Sequence, residues 1–309
     1  MSDLLSGLTS SGWLFLFAWV LPASIFVSGT AVLIVPVLRD LVPATAFASF
    51  AIVEQSLVLA FIALALGLAM GASSTPLYRL LEGYTWPRRL RDRAIAKHRC
   101  RKAQLAERLE HMEDGLERAL GYEELQRFPV DDGDVAPTRL GNALRAFETY
   151  GVDRYNLDSQ SFWTELMTIT PDGLRTELAR ARANVDFFVA LTYLSVVFGA
   201  MAVAVGVAVG TTHIGLVLLG ILTIALGPWW YRLAVTSTTY WASTVRALVN
   251  VGRKELATAL GLRLPREVEA EREMWQLMAQ FVFYRYDKTW SDQLNEFRVA
   301  VPDDDEKAE

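Results

Sequence analysis

Cysteine occurs once, at Cys100, so no intrachain disulfide can form and an oxidising compartment is not implied. Histidine is almost as scarce. His98, His111 and His213 are the only three, and no pair has the spacing of metal ligands. The chain contains no G-x-x-x-x-G-K-S/T phosphate loop and no G-x-S-x-G elbow. With those signatures missing, the sequence assigns no catalytic residue, no cofactor and no metal, and the chain reads as a non-enzyme.

Charge is also nearly missing from four long runs: Trp13 to Leu38, Phe50 to Gly71, Val185 to Gly206 and Ile214 to Leu233. A bilayer core needs about 20 apolar residues at 1.5 Å rise each, and each run supplies that length. Lipid offers the backbone no hydrogen-bond partner, so spans of this length must be helical. No period-two strand pattern appears anywhere. The expected fold class is therefore all-α, a polytopic membrane protein with two transmembrane helical hairpins and a helical cytoplasmic region. The first run is too long for a signal-peptide core, and MSDLLSG ahead of it has no Lys or Arg, so it reads as a permanent span.

What is present sets the orientation. From Arg79 to Lys102 there are nine basic residues against Glu82 and Asp92. The loop between spans one and two offers only Arg39 and Asp40, and the loop between spans three and four offers no charge. Lys and Arg mark cytoplasmic flanks, so both termini and the central region are expected in the cytoplasm and the hairpin tips outside. Trp13, Trp229, Trp230 and Tyr231 then fall at the cytoplasmic interface. The chain divides into a first transmembrane hairpin (1–71), a cytoplasmic helical region (72–183), a second transmembrane hairpin (184–231), C-terminal cytoplasmic helices (232–300) and an acidic tail (301–309) expected to be disordered.

Within the cytoplasmic parts, Pro87 opens a helix expected to run to about Leu120, with Leu105, Leu109, Met112 and Leu116 forming one apolar stripe. Residues 103–183 hold 16 acidic and 9 basic side chains, which fits ordinary solvated helix faces. Asp131-Asp132-Gly133-Asp134 lacks the distal glutamate of a calcium loop and reads as a connection between helices. A helix follows from Arg139 to about Tyr150, and Asp158 is placed to cap the next. Thr170-Pro171 starts a helix without a breaker until about Gly206. Tyr231 to Leu260 is likewise breaker-poor, with Gly261 as its C-cap, and Pro228 is expected to kink span four. A last amphipathic helix, Arg266 to about Tyr284, is expected to expose Glu267, Glu269, Glu271 and Glu273 near its start.

Few residues in the spans invite chemistry. Glu54 is the one carboxylate well inside a span, and Arg39 is its natural partner across the hairpin. Two readings stand: an ion pair that fixes the hairpin, or a cation or proton site at an outer vestibule. Ser24 and Ser28 lie one turn apart and either line a path in an oligomer or bond back to their own helix. Gly67-x-x-x-Gly71 and Gly206-x-x-x-Gly210 match the small-residue pattern of close helix packing. Arg88, Arg89, Arg91 and Arg93 determine topology and also suit anionic lipid headgroups, at about 1 kcal/mol per basic residue near the surface. Nucleic acid is not an expected partner.

The segment Thr138-Arg-Leu-Gly-Asn-Ala-Leu-Arg-Ala-Phe-Glu148, with Arg154-Tyr155, Asp158 and Trp163, resembles a recurring segment of uncharacterised bacterial four-helix integral membrane proteins. Leu260-Gly261-Leu262, ahead of an acidic helix with Trp275, is similar to the same group. The resemblance is best over residues 138–166. It implies a bacterial inner (plasma) membrane protein and carries no activity. The expected function is a non-enzymatic membrane scaffold or sensor, a homo-oligomer or a binder of an unknown protein partner through its cytoplasmic helices. The alternative is an oligomeric ion channel or transporter with a polar path near Glu54.

Overall fold

The computed structural model describes residues 12–38, 52–210 and 213–299. Its described residues are all-helical, without strands, apart from one isolated bridge between Leu262 and Arg298. Four helices are long and apolar enough to cross a membrane: α1 (Gly12–Leu38), α2 (Ile52–Ala72), α9 (Asp172–Val209) and α10 (Ile214–Ala259). The others are α3 (Ser74–Glu82), α4 (Arg88–His111), α5 (Leu116–Leu125), α6 (Arg139–Glu148), α7 (Tyr150–Tyr155), α8 (Trp163–Ile169), α11 (Val268–Phe283) and α12 (Lys288–Asn295). The expected tail and the first hairpin tip with Arg39 lie outside the described residues.

The chain forms two compact units, each assembled from three stretches. One comprises residues 1–94, 137–141 and 178–241; the other comprises 95–136, 142–177 and 242–309.

In the first unit, small residues let helices approach closely. A Cβ on Gly67 of α2 would sit 2.8 Å from Val20 Cγ2, and one on Gly71 2.8 Å from a Phe15 ring carbon. Gly199 of α9 and Gly220 of α10 meet backbone to backbone: a Cβ on either would lie 2.5–2.7 Å from the other's carbonyl oxygen. The Gly206 half of the second predicted motif also packs, against Val217, whereas a Cβ on Gly210 would meet nothing. Aromatic rings fill the wider gaps. Phe17 stacks on Phe187 at 4.8 Å, and Phe198 meets Phe26 edge-on at 6.3 Å. Helix α1 contains two π-helical stretches, Leu16–Val20 and Thr30–Ile34. The first presents Val20 to Gly67, and the second buries Ile34 beside Phe198 and Ala202.

The second unit has a soluble-type core of Leu157, Phe162, Leu166, Leu256, Met274 and Trp275. Gly261, at φ +72°, ends α10 in the left-handed cap that its position predicts, and the Leu262 amide reaches back to the Ala257 carbonyl at 2.8 Å. The chain then returns beside this turn, where Arg263 N donates to Phe297 O and Val299 N to Gly261 O.

Three expectations need correction. The helix opened by Pro87 stops at His111, because Gly115 takes an extended conformation and restarts the chain as the N-cap of α5. The apolar stripe ends there too: Leu109 is buried beneath Gly121, whereas Leu116 is 76% exposed. Arg101 pairs with Glu124 across the break. Helix α10 runs 46 residues with Pro228 inside it. Asp158 caps a turn, accepting from Gln160 N and Ser161 N, and α8 begins later, at Trp163. Glu271 is buried at 3% exposure, where an exposed acidic face was expected.

The glycine contacts give a paired test. Gly220→Ala should lower the thermal unfolding temperature of the purified protein in detergent, since forced overpacking costs about 1–3 kcal/mol. Gly215→Ala, in the same helix with nothing within 4 Å of the new methyl, should be neutral or slightly stabilising.

Candidate functional site

The residues singled out from sequence do not converge on one site. Ser24 Oγ donates to its own helix at Val20 O, 2.8 Å away. Ser28 is exposed on the surface of α1, and the hydroxyl of nearby Thr30 is buried with no hydrogen-bond partner among the described residues. Glu54 lies exposed in the first turn of α2; its expected partner Arg39 is outside the described residues. Thr192 and Thr223 likewise bond back, to Phe188 O and Gly220 O. At the start of α4, Arg88 and Arg91 share Asp92 at 3.8 and 3.9 Å, while Arg89 and Arg93 are exposed.

A second carboxylate, which no local sequence signal marks, is buried. Asp186, near the start of the third apolar run, is 7% exposed. Tyr78 of α3 donates its phenol to Asp186 Oδ1 at 2.7 Å, and Arg182 lies one turn earlier at 3.8 Å. Tyr193, two turns further along α9, donates to the Leu77 carbonyl at 2.7 Å. Two hydroxyls thus pin the short helix α3 to α9. Burial, and then the Asp186 carboxylate, push the Tyr78 phenol well above its ordinary range, so it remains a protonated donor. Gly83, at φ +85°, ends α3 and packs on Pro137. Beside it, the Leu140 amide donates to the Tyr231 hydroxyl at 3.1 Å. An apolar groove of about 480 Å³ in this unit is lined chiefly by Phe26, Phe187, Leu191, Phe198, Leu226 and Trp230.

The second unit carries its own ionic centre. Glu271 pairs with Arg253 and accepts from the Trp275 indole at 3.2 Å. Arg253 also lies over the Tyr155 ring at 4.4 Å. Arg272 donates to Asp153 O and to Asn156 Oδ1, both at 2.8 Å, and Asn156 is the one non-glycine residue at positive φ among those described. Tyr150 and Tyr155 converge on Asn250 Oδ1. These contacts join α7, α10 and α11.

Beside them opens a cleft of about 380 Å³, with Leu125, Phe128, Pro129 and Phe147 on its apolar lining and Arg154 and Arg246 among its polar groups. Among the described residues, no three His, Cys, Asp or Glu side chains are grouped to hold a metal ion. Asp131 accepts from Gly133 N, and Asp132 is occupied by Lys102, which holds its carboxyl below the usual range. Compared with protein-family models, with curated proteins and with solved structures, the chain finds no match.

Two outcomes follow from these contacts. In an alkaline titration read by tyrosinate absorbance, Tyr78→Phe should remove one tyrosine that ionises beyond the ordinary value of about 10. The sign follows from a folded value raised above the unfolded one: the contribution of Tyr78 is intact below about pH 10 and is lost as pH rises further. Separately, Glu271→Ala should cost about 3–5 kcal/mol in chemical unfolding, because it leaves Arg253 with its partner removed. Glu273→Ala, on the exposed face, should change little.

Proposed function

We propose that this chain is a non-enzymatic integral membrane scaffold or sensor whose cytoplasmic helices bind a partner. The proposal includes two transmembrane hairpins, both termini in the cytoplasm, and residence in a bacterial inner membrane. It also includes membership of the four-helix membrane proteins that residues 138–166 resemble. The observation that carries it is a contrast between the two units. The hydroxyls of Ser24, Thr192 and Thr223 are spent on their own helices, which supports a frame rather than a polar path. The second unit, in contrast, offers an open cleft with both apolar and charged lining. The exposed arginines at the start of α4 suit anionic headgroups and the proposed cytoplasmic side.

One observation favours the alternative of an oligomeric channel. Helix α2 leaves Ile52, Val53, Leu57 and Phe61 exposed beside Glu54, and a second copy of the chain packed there would shield that carboxylate from lipid. Ion flux from purified protein in liposomes separates the two readings. A scaffold or sensor gives no flux above empty vesicles. A channel gives flux that Glu54→Gln changes sharply, and such a result would displace the scaffold reading.

A further inference from the structure

We propose that the cleft of the second unit binds a small amphipathic organic acid, with its carboxylate held by Arg154 and Arg246 and its apolar body against Phe128, Pro129 and Phe147. This rests on the sensor reading and names the ligand class for it. The charges lining the cleft are unevenly satisfied. Lys102 is already committed, at 2.6 Å to Asp132 Oδ1 and 2.7 Å to Val130 O. Asp153, the carboxylate on the lining, accepts from the Thr149 hydroxyl at 3.1 Å.

The two arginines have no acidic partner. Arg246 gives Nε to Ala242 O and one Nη1 hydrogen to Gln126 Oε1, and no carboxylate lies within ion-pair distance among the described residues. A guanidinium has five N–H donors, so three remain. Gln126 and Ala242 hold the group in place, and both also line the cleft. Arg154 makes no hydrogen bond or ion pair among the described residues and is exposed. With Lys102 balanced by Asp132, two guanidinium charges face one carboxylate, and the site is net cationic.

An apolar lining beside an uncompensated cationic pair selects ligands by both properties together. A neutral apolar molecule leaves the guanidinium donors in contact with nothing better than water. A small inorganic anion leaves the aromatic lining wet. An organic acid satisfies both, since a carboxylate matches the guanidinium fork and its body covers Phe128 and Phe147. The volume, about 380 Å³, lies within the range of small-molecule sites, about 300–1,000 Å³. That size fits a ligand with one or two fused rings or a short acyl chain and is too small for a folded partner.

The test uses the full chain in lipid nanodiscs, titrated with fluorinated naphthoate and read by fluorine NMR, with protein-free nanodiscs as the blank for partition into lipid. Saturable one-to-one association is expected. Arg154→Gln and Arg246→Gln should each weaken it about tenfold or more, the effect of losing one charge-assisted hydrogen bond. Arg246→Lys should keep part of the affinity, which guards against a variant that merely misfolds. Arg88→Gln with Arg89→Gln, on the exposed cluster, should leave it unchanged. The neutral analogue naphthamide should show no saturable association. Equal association of naphthamide, indifference to both arginine variants, or no saturation with naphthoate would each overturn the proposal. Naphthoate failing in a protein without ion flux removes the ligand site and leaves the scaffold reading standing. Flux in liposomes removes the scaffold reading whatever naphthoate does.

Discussion

Hydrocarbon supplies no hydrogen-bond partner, and much of the apolar unit follows from that single constraint. The backbone answers it with helices. The hydroxyls of Ser24, Thr192 and Thr223 answer it by bonding to carbonyls one turn back or nearer. Helix association cannot draw on the hydrophobic effect in such a medium, so it relies on close contact instead. Gly199 and Gly220 bring α9 and α10 together at backbone distance, and Gly67 does the same for α2 on Val20. Asp186, a buried carboxylate in the same unit, is matched by the Tyr78 phenol that donates to it and by Arg182 nearby.

The second unit solves a different problem. Its segments are as charged as those of a soluble protein, and it builds a core around Trp275, Phe162 and Met274 with Glu271 buried beside them. A buried carboxylate is costly unless it is paired and hydrogen-bonded. Arg253 and the Trp275 indole meet that requirement, and Arg253 also covers the Tyr155 ring. The effect is to tie α7, α10 and α11 to one another next to the cleft. Arg154 and Arg246 stand apart from this network, two guanidinium groups on the cleft lining without an acidic partner among the described residues.

Local signals are legible in the sequence, and distant pairings are not. The four apolar runs, the helix start at Thr170-Pro171 and the cap at Gly261 each depend on a few adjacent residues, and all appear in the structure. Leu109, Met112 and Leu116 keep helical spacing across Gly115, so the apolar pattern hides the break there. Tyr78 and Asp186 are 108 residues apart, and nothing local marks either as the other's partner. Glu271 reads as one of four acidic residues suited to a helix N-terminus. Only the tertiary fold shows that it shares the buried face of α11 with Met274, Trp275 and Met278. Glu54 stands out in the sequence by its place in an apolar run, yet it is exposed in the structure. The cleft arises from α4, α5, α6, α7 and α10 together and leaves no linear trace.

In the proposed orientation the charged helical segments lie on the cytoplasmic side of a membrane frame, and Cys100 offers a direct measurement. It is the chain's single thiol and is exposed on α4, within the basic stretch on which the proposed orientation rests. Intact cells treated with a membrane-impermeant maleimide should leave Cys100 unlabelled, with full labelling after the membrane is opened. Labelling of Cys100 in intact cells would contradict the proposed orientation and, with it, the assignment of the cleft to the cytoplasm.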